Sequence, residues 1–488
     1  VGLYIFGQNR ERSGYDSDGD GFTELPKLKN QTVGFRSFLK TSAYSKLTFE
    51  YHHLQEFRRG GDLLNRPPHE ANIAEQLRHS INSGGLKFDY FSPDEKHRLS
   101  VYASAQHIGR DSYYGGNQDL NAYGNTTDLN WMAGSQYVYS FGKCIFMPSD
   151  LTAGIEFNQD KLEDNMWGYN RTVDQKVNIG SAFLQNEWKN DHWGFLIGGR
   201  LDKHNLIDHV IFSPRANLRY NPTENINLRF SYSSGFRAPQ AFDEDLHVEN
   251  VGGNVAMVEL ADNLKEERSQ SLSASADIYH RFGAFQVNFL VEGFYTKLSD
   301  VFALTDGEVV DGILTRTRHN ASGAQVLGLT LEGKMAYLNK IQVQAGVTLQ
   351  QSHYSKPHIW NKEAPAVKKM MRTPNTYGYF TATYTPIKPL SIALSGTYTG
   401  SMLVPHEPVP GFLENPITVN TKDFFDIGLK AAYDFKLYKS MNLQLNAGIQ
   451  NIFNAYQDDF DKGADRDSGY IYGPSLPRSF FAGVKISY

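Results

Sequence analysis

The sequence predicts an all-β chain: a single large antiparallel transmembrane β-barrel of about twenty visible strands out of an expected 22 or so. Three observations carry this. Apolar and polar residues alternate with period two over unusually long segments. The connections alternate between short turns and long polar loops. No stretch approaches the ~18 consecutive apolar residues of a membrane helix.

The elements follow in order. "KLTFEYHHLQEF" (46–57), "HRLSVYASAQHI" (97–108), "INLRFSYSSGF" (226–236), "FQVNFLVEGFYTKL" (285–298), "IQVQAGVTLQQSHY" (341–354), "TYGYFTATYTP" (376–386) and "FFDIGLKAAYDFKLY" (424–438) all alternate. They run to about ten to fifteen residues, whereas soluble strands run to about five or six. A tilted membrane strand needs about nine to eleven. Short turns are expected at "KTSAYS", "SPDEKH", "NPTEN", "HRFGA", "LNK", "PIKP" and "YKSM". Long loops are expected at 10–31, 58–76, 109–128, 161–174, 238–265, 300–316, 356–372, 402–421 and 454–474. A propeller would instead repeat four strands with mostly short connections, and no such repeat is visible. Tyrosine and tryptophan spread along the strands suit interfacial girdles.

Composition agrees. The chain has 488 residues, 40% hydrophobic, 13% aromatic and 21% charged, with a mean hydropathy of −0.47. Barrel strands average out as polar, because lumen-facing and lipid-facing residues alternate. A net charge of −5 argues against nucleic acid as a partner. Cys144 is the single cysteine, so no internal disulfide framework exists. Val1 to Gln8 already reads as strand, and counting back from a C-terminus at the short-turn side makes it an outward-going one. The expected domain is therefore one barrel over 1–488, N-terminally truncated, with something preceding this chain.

The segment "YSSGFRAPQAFDEDLHVENVGG" (232–253) carries an alternating strand to Pro239, then an acidic, glycine-containing loop. Binding chemistry concentrates in such loops. Candidate ligand contacts there are Asp243, Asp245 and His247. A lone loop histidine is more often a solvated side chain than a ligand. "RDSYYGGNQDLNAYGN" (110–125) mixes Tyr113, Tyr114 and Tyr123 with amides and glycine. That suits a flat, partly apolar ligand, and equally suits tyrosines that pack the loop itself. "NRPPHEA" (65–71), with His69, reads as a loop anchor.

"DSDGDGF" (16–22) places carboxylates at Asp16, Asp18 and Asp20 with Gly21 next. Alternate carboxylates converge on a hard cation and glycine permits the turn, so this is a candidate calcium site. Phe22 and Glu24 would be the next ligands. Lys27 at the twelfth position excludes an EF-hand. "DDFDKGADRD" (458–467) is a second acidic loop and a candidate cation site, but its irregular spacing favours plain solvation. No nucleophile elbow, phosphate loop or dinucleotide fingerprint appears, and His52 and His53 point to opposite faces of one strand. No enzyme activity is expected.

"GFRAP" (235–239) followed by "NLKEERS" (263–269) resembles the paired boxes of TonB-dependent receptors. "FRAPQAFDEDLH" and the end "NIFNAYQDDFDKGADRDSGYIYGPSLPRSFFAGVKI" (451–486) resemble their Bacteroidetes-type members. The final strand, closing on Tyr488, resembles the C-terminal signal of outer-membrane barrels. The resemblance implies an outer-membrane receptor in a Gram-negative bacterium that takes up a scarce metal chelate. Cobalamin or an iron–siderophore is favoured, and haem is a further candidate. It also implies TonB as partner through an N-terminal plug outside this chain, outer-membrane lipid around the wall and a surface lipoprotein as an additional partner. Haem receptors carry a histidine between "FRAP" and "NPNL" boxes, where His247 stands, but Ala261 and Asp262 precede Asn263 and Leu264 here, so the Asn-Pro is missing. A passive porin or sugar channel is the alternative.

Overall fold

The computed structural model describes residues 1–246, 249–251, 254–310, 313–438, 440–474 and 476–488. The wall begins with β1 (Gly2–Arg12), β2 (Thr23–Ser42), β3 (Ser45–Gly61), β4 (Ile73–Phe91), β5 (His97–Gly116) and β6 (Tyr123–Cys144). It continues through β7 (Met147–Met166), β8 (Arg171–Lys189), β9 (Trp193–His204), β10 (Ile211–Thr223) and β11 (Ile226–Arg237). The next connection holds a short helix, α1 (Asp243–Leu246), and the strands β12 (Glu249–Val251) and β13 (Asn254–Leu260). The wall resumes with β14 (Glu267–Phe282) and β15 (Phe285–Ser299). β16 (Phe302–Val310) and β17 (Ile313–Asn320) form a hairpin in the following loop. Then come β18 (Ala324–Tyr337), β19 (Ile341–His358), the short β20 (Val367–Lys369), β21 (Thr376–Ile387) and β22 (Leu390–Thr399). A loop hairpin, β23 (Leu403–His406) and β24 (Ile417–Asn420), precedes β25 (Phe424–Tyr438), β26 (Met441–Gln450) and β27 (Ser479–Ser487).

Among the described residues 21 strands join in one sheet. Setting aside the three-residue β20 leaves twenty wall strands, as the alternation predicts. Each pairs antiparallel with its neighbour along the chain. The register is unbroken over long spans, so a face assigned on one strand carries across the wall. Leu47, Phe88 and Val101 share the apolar face, as do Val291, Leu331 and Val347. The opposite face is polar, and there the Thr330 and Thr348 hydroxyls meet at 3.0 Å. Such clean alternation is what a wall needs when hydrocarbon lies on one side and a polar lumen on the other.

The strands are longer than the sequence predicts. β6 runs 22 residues, and much of the expected loop at 109–128 is the paired tops of β5 and β6. Tyr113 and Tyr114 therefore lie on β5, and Tyr123 opens β6. Near the rim both faces are covered by protein, so alternation fades while the ladder continues.

No hydrogen bond joins β1 to β27 among the described residues; each is bonded only to its chain neighbour. Loop contacts link the outer ends of these two edge strands. Gly463 N–H donates to Asp20 at 2.8 Å, and Arg466 pairs with Asp20 and Glu24.

Candidate functional site

The chemistry gathers at the loop end, where β11 and β14 rise side by side. The register pairs Gly235 with Ser269, Phe236 with Arg268 and Arg237 with Glu267, so the two boxes of the sequence meet on neighbouring strands. Glu267 accepts from Phe302 N–H at 3.0 Å and so anchors the β16–β17 hairpin. Burial opposes ionisation of Glu266, but bonded Arg268 and nearby His209 hold its carboxyl below the usual range.

After Pro239 the chain folds back over the polar face. Phe242 N–H donates to the Asp245 carboxylate at 2.8 Å, closing a local turn. The Arg237 guanidinium lies 3.8 Å from the Phe242 ring centroid and 5.5 Å from that of Phe302. Arg318, from β17, faces the same two rings. Such cation–ring contacts strengthen when water is excluded.

Asp245 is 2% exposed and pairs with Arg318. Arg171, at the top of β8, donates to the Asp245 carbonyl at 2.6 Å and to the Asp164 carboxylate at 3.0 Å. Asp164 also accepts from Thr126 at 2.5 Å and faces Arg110 at 3.6 Å. Buried charges persist only when paired and hydrogen-bonded, and this network meets that condition. Arg171, Arg237 and Arg318 thus converge from two wall strands and one loop on a single segment, and Arg110 joins them through Asp164.

That segment separates two cavities. The outer one, about 920 Å³, lies between the top of β8 and the β13–β17 sheet, with Arg171, Asp245, Met257 and Ile313 in its lining. The inner one, about 360 Å³, is lined by His79, Arg110, Phe242 and Leu246, with Asp128 and Asp160 farther from the loop end. Gln175 and Ala241 line both.

The expected site residues distribute unevenly. Asp245 sits at the centre of this arrangement. Asp243 opens α1. His247 lies outside the described residues. Tyr114 is on the polar face, clustered with Leu77, Met166 and Met257. Tyr113 is on the opposite face, 0% exposed, packed by Ala71, Ala74 and Ala122. Its hydroxyl donates to Asp119 O at 2.9 Å. Tyr123 stacks edge-on against it at 4.8 Å and bonds His69 at 2.8 Å, the anchoring role expected of that histidine. Tyr113 therefore packs the rim and faces no solvent. Burial, followed by the bonded Asp119 carboxylate, pushes the nearby Tyr169 hydroxyl well above the usual phenol range.

Asp16, Asp18, Asp20 and Glu24 bring carboxylate oxygens within 4.8 Å of one another. Gly19 and Gly21 N–H donate to Asp16 at 2.7 and 2.8 Å. Slight desolvation opposes this carboxylate's charge, but these donors hold its pKa below the usual range. Lys462 reaches Asp18 at 3.7 Å, and Arg466 lies over the Phe22 ring at 4.8 Å. The second acidic loop is not simply solvated, contrary to expectation. Asp461 pairs with buried His406 at 2.9 Å, Asp467 accepts from Glu407 N–H at 2.9 Å, and Asp459 accepts from Tyr470 and Tyr472. The sequence reading missed Arg171, Arg318 and Asp164, each one charge in a polar stretch. The available signal was their parity, which puts Asp164 and Arg171 on the polar face.

The family model "TonB dependent receptor-like, beta-barrel" matches residues 3–452. The chain belongs to the TonB-dependent receptors. Several solved structures share the fold of this TonB-dependent receptor at low identity. The siderophore receptor PirA from Acinetobacter baumannii is 14% identical with a TM-score of 0.74, over 99% of this chain and 74% of that one. A mutant of the ferric enterobactin receptor PfeA from Pseudomonas aeruginosa, in complex with enterobactin, is 16% identical with a TM-score of 0.75, over 99% and 76%. The ferric-catecholate import receptor Fiu from E. coli K12 is 12% identical with a TM-score of 0.70, over 99% and 77%. No curated protein matches the sequence.

Proposed function

We propose that this receptor barrel sits in the outer membrane of a Gram-negative bacterium and serves the active uptake of an iron–siderophore complex. The observation that carries the reading is the convergence of Arg171, Arg237 and Arg318 on the segment that borders a cavity of about 920 Å³ at the loop end, with Arg171 in the cavity's lining. That volume suits a small-molecule ligand, and fixed guanidiniums suit oxygen-rich anions. Receptors for ferric enterobactin and a ferric catecholate share the fold, which favours such a chelate over cobalamin or haem. The apolar face meets lipid, the long loops face outward, and a plug outside this chain closes the lumen and answers to TonB. A surface lipoprotein resting on the loops and calcium in the Asp16–Glu24 loop belong to the same reading. Titration of the plug-containing protein with a ferric tricatecholate, a ferric trihydroxamate, cobalamin and haem tests it. Saturable binding of a ferric siderophore alone is the expected result. Binding of cobalamin or haem alone overturns the choice of ligand.

A further inference from the structure

We propose that Arg318 and Arg171 form an anion-recognition site whose resident occupant is the chain's own Asp245, and that a ligand presenting carboxylate or catecholate oxygens displaces it. This rests on the reading of the chain as a receptor for an iron chelate and names how that ligand is admitted.

The segment from Pro239 to Leu246 is the partition between the outer and inner cavities. It belongs to no wall ladder. Side chains hold it from a distance in sequence. Arg318 grips the Asp245 carboxylate, Arg171 its carbonyl, and Gln175 bonds Ala241 N–H at 2.7 Å and its carbonyl at 3.3 Å. Arg237 completes the grip through the Phe242 ring.

Three of these holders are guanidiniums, whose planar fork matches a carboxylate or a catecholate from any source. An internal carboxylate in such a fork is a stand-in for a ligand oxyanion. Exchanging one for the other keeps each guanidinium paired, so the swap avoids the large cost of leaving a buried charge alone. Asp245 and Arg171 both line the outer cavity, so a ligand there reaches Arg171 and the Asp245 that occupies Arg318. Once Asp245 is released, the partition loses its principal hold and the two cavities can join. Acidic side chains stand on both sides, Asp174, Glu259 and Asp262 in the outer cavity and Asp128 and Asp160 farther down, so the counter-charges an anion meets are the arginines and Lys176. A self-occupied site also weakens apparent affinity, because only the vacated fraction is competent to bind.

The experiment uses the whole chain in detergent, with Asp245→Asn and Arg318→Gln. The first readout is hydrogen exchange of 239–246, with free citrate as the probe. Citrate should accelerate exchange in the wild type. Asp245→Asn should exchange fast without citrate and respond no further. Unchanged exchange in Asp245→Asn overturns the latch. The second readout is titration with a ferric tricatecholate. Asp245→Asn should bind about tenfold tighter, as removal of an internal competitor requires. Arg318→Gln should bind more weakly although its partition is equally loose. Equal affinities in all three proteins overturn the displacement. If citrate opens the segment but no ferric chelate binds any form, the anion site stands and the iron-chelate reading fails. If the chelate binds and Asp245→Asn changes neither readout, the receptor reading stands and this site falls.

Discussion

Arg466 occupies the place a cation would take. Its guanidinium binds Asp20 and Glu24, and Glu24 is 1% exposed. Arg466→Gln leaves that carboxylate with the Ser17 N–H but without its counter-ion, at a cost of about 3 kcal/mol for a buried charge that loses its ion pair. If the loop takes calcium, millimolar calcium should restore stability in Arg466→Gln and change the wild type less. Thermal unfolding with calcium or a chelator measures both; equal destabilisation of the variant under the two conditions removes the calcium site. The carboxylates of this site were legible, because Asp16, Asp18 and Asp20 stand at alternate positions. Arg466 was not, because it lies 442 residues from Glu24. Tyr113 teaches the reverse. Its residue type suggested ligand contact, but register and burial put it inside the rim. Tyr113→Phe leaves the Asp119 carbonyl without that donor, so about 1 kcal/mol of stability should be lost. Chelate affinity should be unchanged in the same titration.

Among the elements, the long strands were legible and their upper limits were not. Period two shows wherever lipid and lumen demand opposite chemistry, as at Leu99 and Val101 on β5. It fails at Tyr113 and Tyr114, where protein covers both faces. The paired boxes were visible as motifs, yet their function as facing tops of β11 and β14 needed the register. The β23–β24 hairpin is tied to the last loop by Asp467, which accepts from Glu407 and Gly469 N–H. Burial raises its pKa, against the pull of those donors and of His406, with Asp461 adding repulsion. The folded pKa therefore lies above the unfolded value of about 3.9. A group raised in this way contributes stability that is complete below the unfolded pKa and is lost as pH rises through the folded one. Amide exchange over 403–409, corrected for intrinsic rate, should accordingly quicken from about pH 4 upward, starting at that ordinary aspartate value. Asp467→Asn should flatten the dependence; an unchanged pH profile in the variant removes Asp467 as its cause.

At the scale of the described chain, twenty wall strands and the junction of β1 with β27, the seam, set the mechanical problem. Every other wall boundary is stitched by a hydrogen-bonded ladder, whereas β1 and β27 present their outer edges to no partner among the described residues. An edge strand bonds through alternate residues only, so exchange in β1 and β27 should alternate fast and slow along the strand, while β4 or β15 is protected throughout. The number of strands followed from alternation, but the seam could not, since edge and interior strands share one pattern. What spans the gap is the loop-end clasp of Gly463 and Arg466 with Asp20 and Glu24. The clasp lies at one end of both strands, so the opposite end should be the looser. Spin labels at Leu3 and Ile486, both outward and 64% and 66% exposed, would report the distance across that end. Arg466→Ala should broaden the distance distribution and shift it outward, with little change between labels at Leu331 and Val347 on the bonded β18 and β19. An unaltered distribution across the seam would mean that wall curvature, and not the clasp, holds the two edges together.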